Sequence, residues 1–397
     1  MTSPATTGRF HRQLFAIAAL FCLLGFQYST WASRIPDLAE RMSLSPREVG
    51  VLLLATGIGA AGSYPLVTYL MRTLGSRDLA CLSGLGLAVV LVALDLTPNF
   101  AVTLVVMAVD GVVVACLNVA MNAQGAALEE RHGRTAMARL HATFSGGSLV
   151  AALLASAITT ATRSLWVHFG IALVLVLALV AFARPGLSTE DLAPEAKKKE
   201  KRRFTLPAAA TLWLGAAMVF GTITEGAMND WSALYLQDVV HAAASLAPMG
   251  IAVVSAMMVL ARLFADGWRT RFGDALVVRA GAALAGVGLG LALSVGGVVP
   301  ALIGFACVGL GIAAVTPCVY VAAARQGPDA LTLVAAMGVT GLLGGPPVIG
   351  FVADAAGLSW GMAVVACSAL LVSLCAFRIH WKSPAAESTP EVAPVAD

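Results

Sequence analysis

The chain has 397 residues, of which 59% are hydrophobic and 12% charged, and its mean hydropathy is +0.85. Because soluble domains usually carry about a quarter charged residues, this composition excludes a soluble globular protein and predicts an integral membrane protein. The formal net charge of +3 comes from basic residues beside apolar stretches, which argues against a nucleic-acid partner. All seven cysteines lie inside apolar stretches without metal-ligand spacing, so neither a disulfide framework nor a metal site is predicted.

Apolar runs of about 20 residues, the length that crosses the hydrocarbon core of a bilayer, recur along the chain. We count twelve, which predicts an all-α membrane protein. They cover residues 13–35, 46–71, 78–95, 101–125, 140–160 and 165–183, and then 206–235, 246–266, 276–297, 300–324, 331–353 and 358–379. Residues 36–44 are predicted to be a loop, and Ser45-Pro46-Arg47-Glu48 has the pattern of a helix start with a capping box.

A hydrophilic segment divides the chain in two. Residues 185–203, which include STEDLAPEAKKKEKRR, predict a basic linker between two six-helix bundles at 13–184 and 204–382. A polar segment at 1–12 precedes them, and a disordered tail is predicted at 383–397. Of the 25 Lys and Arg residues, 20 fall on the side of the termini and the linker, and four on the other side. Because cytoplasmic flanks carry such an excess, both termini are predicted to be cytoplasmic.

The two halves match each other at a nearly constant offset. The sequence around Gly75 (RTLGSRDLACLSGLG) parallels that around Gly273 (TRFGDALVVRAGAALAG), and GVVVACLNVAMN from Gly111 parallels GLGIAAVTPCVY from Gly309, each at an offset of 198. Six spans per half give both halves the same orientation. The repeat therefore predicts a pseudo-twofold axis along the membrane normal, with a site near the midplane between the halves.

Three stretches make the chain resemble the major facilitator superfamily, and within it the fucose permease-like sugar:proton symporters and their bacterial relatives. They are LNVAMNAQ at 117–124, similar to the permease pattern L-E-T-A-A-N, LHATFSGG at 140–147 and EGAMNDWSALYL at 225–236. Asn118 stands where that pattern has a glutamate. In the superfamily's loop signature Gly75 and Arg77 fit, but Arg72 replaces the aspartate.

This resemblance implies a monomeric secondary transporter of the bacterial inner membrane. It is expected to move a small polar, sugar-like solute by alternating access, coupled to protons. No ATP-binding signature G-x-x-x-x-G-K-[ST] occurs, so an ion gradient is the expected energy source. Two alternatives stay open: efflux of a drug or metabolite by proton antiport, and a non-transporting membrane sensor or assembly partner.

Three acids inside apolar spans are candidates for proton coupling. Glu225 leads, because a charge near the bilayer centre costs roughly 3 kcal/mol on insertion scales and usually faces a cavity; the alternative is a hydrogen bond between helices from a neutral Glu225. Asp110 is either a second protonation site or a buried partner of a positive group. Asp230 lies about 140° around the helix from Glu225, nearer the outer boundary, where a solvated or Arg-paired role is as plausible as a substrate contact.

Candidates for substrate binding are polar or aromatic residues in the spans. They are Gln27, Tyr28, Trp31, Asn118, Asn122, Asn229 and Trp231. Asn118 and Asn122 share a helix face and offer donors and acceptors to a hydroxylated or amide-bearing ligand, with bonding between helices as the alternative. Trp31 and Trp231, related by the repeat at an offset of 200, are expected either to stack on a sugar ring or to anchor the chain at the membrane interface.

Charged residues and one histidine near the inner side are candidates for a gate. They are Arg72, Arg77, His141, Arg262 and Asp266. Arg262 and Asp266, one helical turn apart, are predicted to form an ion pair that breaks on opening. On the outer side, Arg34 is predicted to be a surface anchor paired with Asp37.

Enzymatic activity is not expected, because no Ser/His/Asp, metal-ligand or paired-carboxylate arrangement is evident on one membrane face. No cofactor is predicted either. The expected partners are a small-molecule substrate, a proton and the lipid bilayer.

Overall fold

The structure, a computed structural model, describes residues 4–190 and 209–381, without the side chains of residues 4–7, Ala138 and Asp266. The predicted tail and most of the predicted linker lie outside the described residues. The helices are α1 (Pro4–Ala32), α2 (Ile35–Met42), α3 (Pro46–Gly62), α4 (Tyr64–Leu96), α5 (Phe100–His132), α6 (Met137–Ala161), α7 (Leu165–Ala183), α8 (Ala209–Asp238), α9 (Met249–Val295), α10 (Val298–Ile312), α11 (Val315–Ala324), α12 (Pro328–Ala356) and α13 (Leu358–Arg378).

The described part of the chain contains ten stretches that are long and apolar enough to cross a membrane. Two helices each continue from one span into the next across a glycine, since Gly75 in α4 (φ 76°, ψ 165°) and Gly273 in α9 (φ 79°, ψ 153°) leave the helical region. Positive φ favours glycine because it has no Cβ. If α3 is counted with the start of α4, α10 with α11, and α8 on its own, the segments are consistent with the twelve predicted spans.

The predicted loop at 36–44 is wrong, because α2 occupies most of it. This short helix has Pro36 in its first turn, Asp37 near its N-terminus and Arg41 in its last turn, which suits the helix dipole. The predicted helix start after it is confirmed: the Ser45 hydroxyl accepts from the Glu48 backbone N–H, and the Glu48 carboxylate accepts from the Ser45 backbone N–H at 2.8 Å.

The repeat extends to the contacts between helices. A Cβ at Gly111 on α5 would overlap the carbonyl oxygen of Thr56 on α3, and a Cβ at Gly309 on α10 would lie 2.5 Å from the carbonyl oxygen of Val254 on α9. Thr56 and Val254 are themselves 198 residues apart. The predicted all-α membrane fold is confirmed, and these matching contacts are consistent with two bundles related by a pseudo-twofold rotation.

The two halves meet through α3 against α12 and α6 against α9. We call the side on which α1 and α8 begin the linker face, and the opposite side the far face. Near the far face, a Cβ at Gly350 on α12 would lie 2.7 Å from the carbonyl oxygen of Pro46 and 3.0 Å from the Cα of Gly50. The Ser156 hydroxyl on α6 also donates to the carbonyl of Ser245 in the second half, at 2.6 Å. The halves are thus in close contact at this face.

Toward the linker face, side chains of α4 and α12 are much more exposed. Tyr64 and Tyr69 at the start of α4 are 51% and 63% exposed, and Leu342 on α12 is 53% exposed. The halves therefore pack closely at the far face, whereas these side chains toward the linker face are not covered by the opposite half.

The Gly111→Ala variant is expected to lower the thermal midpoint of the purified protein, because its Cβ meets a backbone carbonyl that has no rotamer to change. Overpacking of this kind costs about 1–3 kcal/mol, which exceeds the roughly 1 kcal/mol by which Ala is favoured over Gly in a helix. Gly170→Ala on α7 is the matched control, since a Cβ there meets nothing within 4 Å. Equal midpoints for the two variants would contradict the close contact of α3 with α5.

Candidate functional site

A cavity of about 130 Å³ lies between the two halves. The first half contributes Tyr28, Trp31, Leu53, Thr56 and Gly57, and the second contributes Thr222, Ile223, Gly226, Ala227, Asp230, Gly341, Leu342 and Pro346. The walls are mostly apolar, with a few hydroxyl groups, one carboxyl and one indole ring. Because a single water occupies about 10–15 Å³ of such volume, the cavity holds roughly ten waters or a solute of similar size.

The Tyr28 hydroxyl on α1 donates a hydrogen bond to the Asp230 carboxyl on α8, across the boundary between the halves. Asp230 is only 4% exposed. Tyr28 and Trp31 are three residues apart on α1, so both reach the cavity, and their rings pack edge to face with centroids 5.1 Å apart. The structure therefore rejects the solvated or Arg-paired alternative for Asp230. It is buried because α8 continues for two more turns, to Asp238.

Glu225 is held by Arg262 of α9, with 3.2 Å between its Oε1 and the Arg262 Nη2. Arg262 also donates to the Ser145 hydroxyl on α6, in the other half. The two charged side chains are 28% and 21% exposed, so the pair is partly hydrated. The predicted partner of Arg262, Asp266, has a side chain that lies outside the described residues. Sequence spacing could not reveal the Glu225 partner, because it comes from another helix.

Asp110 on α5 is fully buried and accepts a hydrogen bond from the Gln27 amide on α1, with 2.9 Å between Nε2 and Oδ1. Its hydrogen-bond partner is therefore an amide, not the positive group of the predicted alternative. Asp110 Oδ2 and Gln27 Oε1 are buried without a hydrogen-bond partner. Neither residue is among those that line the cavity.

The predicted asparagines bond to their own helices. Asn122 donates to the Asn118 side-chain oxygen at 2.9 Å, and Asn229 donates to the backbone carbonyl of Glu225 at 3.2 Å. Asn118 is exposed and lies about 180° around α5 from the exposed Val109. Asn118 therefore faces away from the lipid side of α5, on the linker side of the cavity.

The repeat-related tryptophans differ in their surroundings. Trp31 is 1% exposed and lines the cavity, whereas Trp231 is fully buried and is not among the lining residues. The expectation of an interfacial anchor is therefore wrong for both rings. Trp31 lies in the last turn of α1 and Trp231 about two turns before the end of α8, and both rings are packed into the hydrophobic core.

The remaining gate candidates lie closer to the linker face. His141 is one turn before Ser145 on α6, and its ring packs edge to face on Phe21 with centroids 5.0 Å apart. Arg72 is exposed and Arg77 partly buried, on either side of the Gly75 break.

Arg34 is fully buried, so its predicted position as a surface anchor is wrong. Its predicted pairing with Asp37 is confirmed at 3.3 Å, and it also donates to the Thr159 hydroxyl and, at 2.6 Å, to the carbonyl of Arg163. Helix α2, which occupies the predicted loop, begins directly after Arg34 and supplies Asp37. The cluster ties α1 to the end of α6 at the far face.

Sequence reasoning missed several hydroxyl residues. Thr56 and Thr222 line the cavity, Ser145 binds Arg262, and Thr159 binds the buried Arg34. A hydroxyl inside an apolar span is the available signal, but small hydroxyl residues also bond to backbone within their own helix. Thr30, which donates to the Phe26 carbonyl at 2.7 Å, is an example.

Residues 16–332 match the family model of the Major Facilitator Superfamily. An uncharacterised transporter of this type from Yersinia pestis is 30% identical over 357 residues, which cover 89% of this chain and 92% of the relative. A bacterial homologue of the human lysosomal transporter Spinster, solved in an inward-facing and occupied conformation, aligns with a TM-score of 0.74 at 14% identity over 97% of this chain and all of that one.

A variant of the E. coli fucose:proton symporter aligns with a TM-score of 0.62 at 16% identity, over 92% of this chain and 98% of that one. These two structural likenesses show the fold. The family match extends over most of the chain and the relative aligns over nearly all of it, so the chain belongs to the major facilitator superfamily and is a multi-pass membrane transporter of a small molecule, not an enzyme.

Proposed function

We propose that the protein is a secondary active transporter of the bacterial inner membrane that carries a small, sugar-like solute by alternating access and couples its movement to protons. The observation that supports this most directly is the cavity between the halves, with the Tyr28–Asp230 hydrogen bond on its wall. Asp230 lines the cavity and is bonded to the opposite half. A bound solute or an added proton at this carboxyl therefore changes the contact that holds the two halves together.

The chemistry of the cavity favours a hydroxylated solute. The Thr56 hydroxyl and the Asp230 carboxyl can form hydrogen bonds with sugar hydroxyls, and the Thr222 hydroxyl, which donates to the Gly338 carbonyl at 3.0 Å, can accept one. The ring of Trp31 offers an apolar surface for the C–H face of a sugar. The cavity's small volume favours a monosaccharide over a drug-sized compound. The fucose:proton symporter that shares this fold has a substrate of this class.

The contacts between the halves support a rocking motion. At the far face, Gly50 and Gly350 meet through backbone atoms, so separating them breaks no side-chain hydrogen bond. The excess of Lys and Arg assigns the linker face to the cytoplasm. With that orientation the described state is open to the inside, and separation of α3 from α12 at the far face opens the outward route.

Asp230, in preference to Glu225, is the acid that we assign to coupling at the cavity. Glu225 already forms an ion pair with Arg262, at 3.2 Å. Asp230 has only a neutral hydroxyl as its partner. A hydrogen bond to an ionised carboxylate is roughly twice as strong as one between neutral groups. Protonation of Asp230 therefore weakens a bond that joins the two halves.

The Asp230→Asn variant is expected to lose proton-driven accumulation of a monosaccharide by about tenfold or more, since a charge-assisted hydrogen bond contributes roughly 1.5–3 kcal/mol. Purified protein in liposomes with an imposed pH gradient would be screened with labelled monosaccharides, with fucose first and nucleosides for comparison. Asp354→Asn, which changes an exposed carboxyl on α12, is the matched control. Full accumulation by Asp230→Asn, or wild-type accumulation without a gradient, would contradict the proposed coupling.

A double-mutant cycle tests whether Arg262 compensates the charge of Glu225. Arg262→Gln should lower the thermal midpoint because it leaves a carboxylate without its counter-charge, and adding Glu225→Gln should recover part of the loss. The coupling energy is expected to lie near the lower end of the roughly 0.5–3 kcal/mol range, because both side chains are partly exposed. Ser145→Ala, which removes only the bond between the halves, is the control. If the changes in stability of the two single variants add up to that of the double variant, the ion pair contributes nothing to stability.

A further inference from the structure

The Asp110 and Gln27 side chains contain an unusual pair of buried oxygen atoms. Both residues are fully buried, and a single hydrogen bond of 2.9 Å joins Gln27 Nε2 to Asp110 Oδ1. Gln27 Oε1 and Asp110 Oδ2 have no hydrogen-bond partner. An ionised carboxylate and an amide oxygen can only accept, so in the ionised form two buried acceptors stay unsatisfied. Buried polar atoms in native proteins are rarely left in that state.

One proton between Asp110 Oδ2 and Gln27 Oε1 would give both buried oxygens a hydrogen bond. An amide and a carboxyl are planar groups that each place two polar atoms side by side, so they can form two parallel hydrogen bonds. We infer that Asp110 carries a proton on Oδ2 in this state and donates it to Gln27 Oε1, closing a cyclic acid–amide pair with the existing Nε2-to-Oδ1 bond. Asp110 is thus a proton-binding site, and Gln27 is the residue that positions its proton.

The surroundings of Asp110 support the neutral form. The helices packed against α5 are α1, α3, α4 and α6. Asp110 forms no ion pair with the described residues of these helices, and the Tyr28 hydroxyl nearby is neutral and bound to Asp230. A carboxylate buried without a cation is strongly disfavoured. Asp110 lies ten residues from the start of α5 at Phe100, which is roughly 15 Å into the span.

This inference rests on the proposed proton-coupled transport and gives it a second site, apart from the substrate cavity. Binding adds one hydrogen ion from water to the carboxylate and cancels its charge, and release returns that ion to water. Because the ionised form would leave two buried oxygens without donors, release requires water to reach Asp110. The contact between α1 and α5 must therefore loosen before the proton leaves.

Infrared difference spectroscopy tests the proton directly and needs no substrate. Purified protein in lipid at neutral pH would be compared with Asp110→Asn, which retains an acceptor for the Gln27 amide and gains an amide that can donate to Gln27 Oε1. The wild-type spectrum should contain a carbonyl band of a protonated carboxyl that is absent from the variant. If Asp110→Asn instead lacks a carboxylate band that the wild type has, the inference is overturned. Asp354→Asn, at an exposed site, should lose only a carboxylate band.

A second variant keeps the test decisive if Asp110→Asn does not fold. Gln27→Leu removes both hydrogen bonds to the acid and offers no donor to a carboxylate, so the carboxyl should stay protonated and its band should shift to higher frequency. An unchanged band would overturn the cyclic pair. If the band behaves as expected but no solute is moved by a pH gradient, the proton site stands and the proposed function fails. Proton-driven transport without the band would instead overturn the proton site and leave the proposed function standing.

Discussion

The hydrogen bond from Tyr28 to Asp230 is the contact on which the arrangement of the two halves depends. In a bilayer the hydrocarbon offers no partner to a polar side chain, so each must find one inside the protein. When that partner belongs to the other half, satisfying the group also sets the relative position of the bundles. The Arg262–Ser145 bond does the same between α6 and α9. At the far face, packing of Gly50 against Gly350 adds contact without any polar group to satisfy.

The two halves of the repeat have similar backbones but different polar side chains at matching positions. Gly75 and Gly273 have nearly the same backbone angles, so the two bundles turn alike. The residues that follow differ: Ser76 accepts from the Gln124 amide at 2.7 Å, whereas Asp274 accepts from Arg269 at 2.8 Å.

The two buried acids have no acidic counterparts in the other half. The position 198 residues after Asp110 is Val308, and the position 200 residues before Asp230 is Thr30. The repeat thus relates each buried acid to a position in the other half, and at that position this chain has a residue without a carboxyl.

Much of the fold could be predicted from sequence because hydropathy, basic flanks and the repeat are properties of single segments. The partners in the site could not, since they depend on which helix faces meet. Glu225 and Arg262 are 37 residues apart, and Tyr28 and Asp230 are 202 apart. Arg34 illustrates the same limit: its charge predicts a surface position, yet α2 and the end of α6 provide enough acceptors to hold it buried. The three acids are identifiable from sequence, whereas their order of importance depends on these partners.

The position of Gln27 and Tyr28 in α1 connects the two buried carboxyls. Consecutive residues on a helix point about 100° apart, so one side chain reaches α5 in its own half and the other reaches α8 in the opposite half. Rocking of the whole first half against the second changes the bond from Tyr28 to Asp230 and leaves the bond from Gln27 to Asp110 intact, because α1 and α5 move together. Only a displacement of α1 within its own bundle changes both bonds. The two acids are therefore joined to the same helix, but they respond to different movements of it.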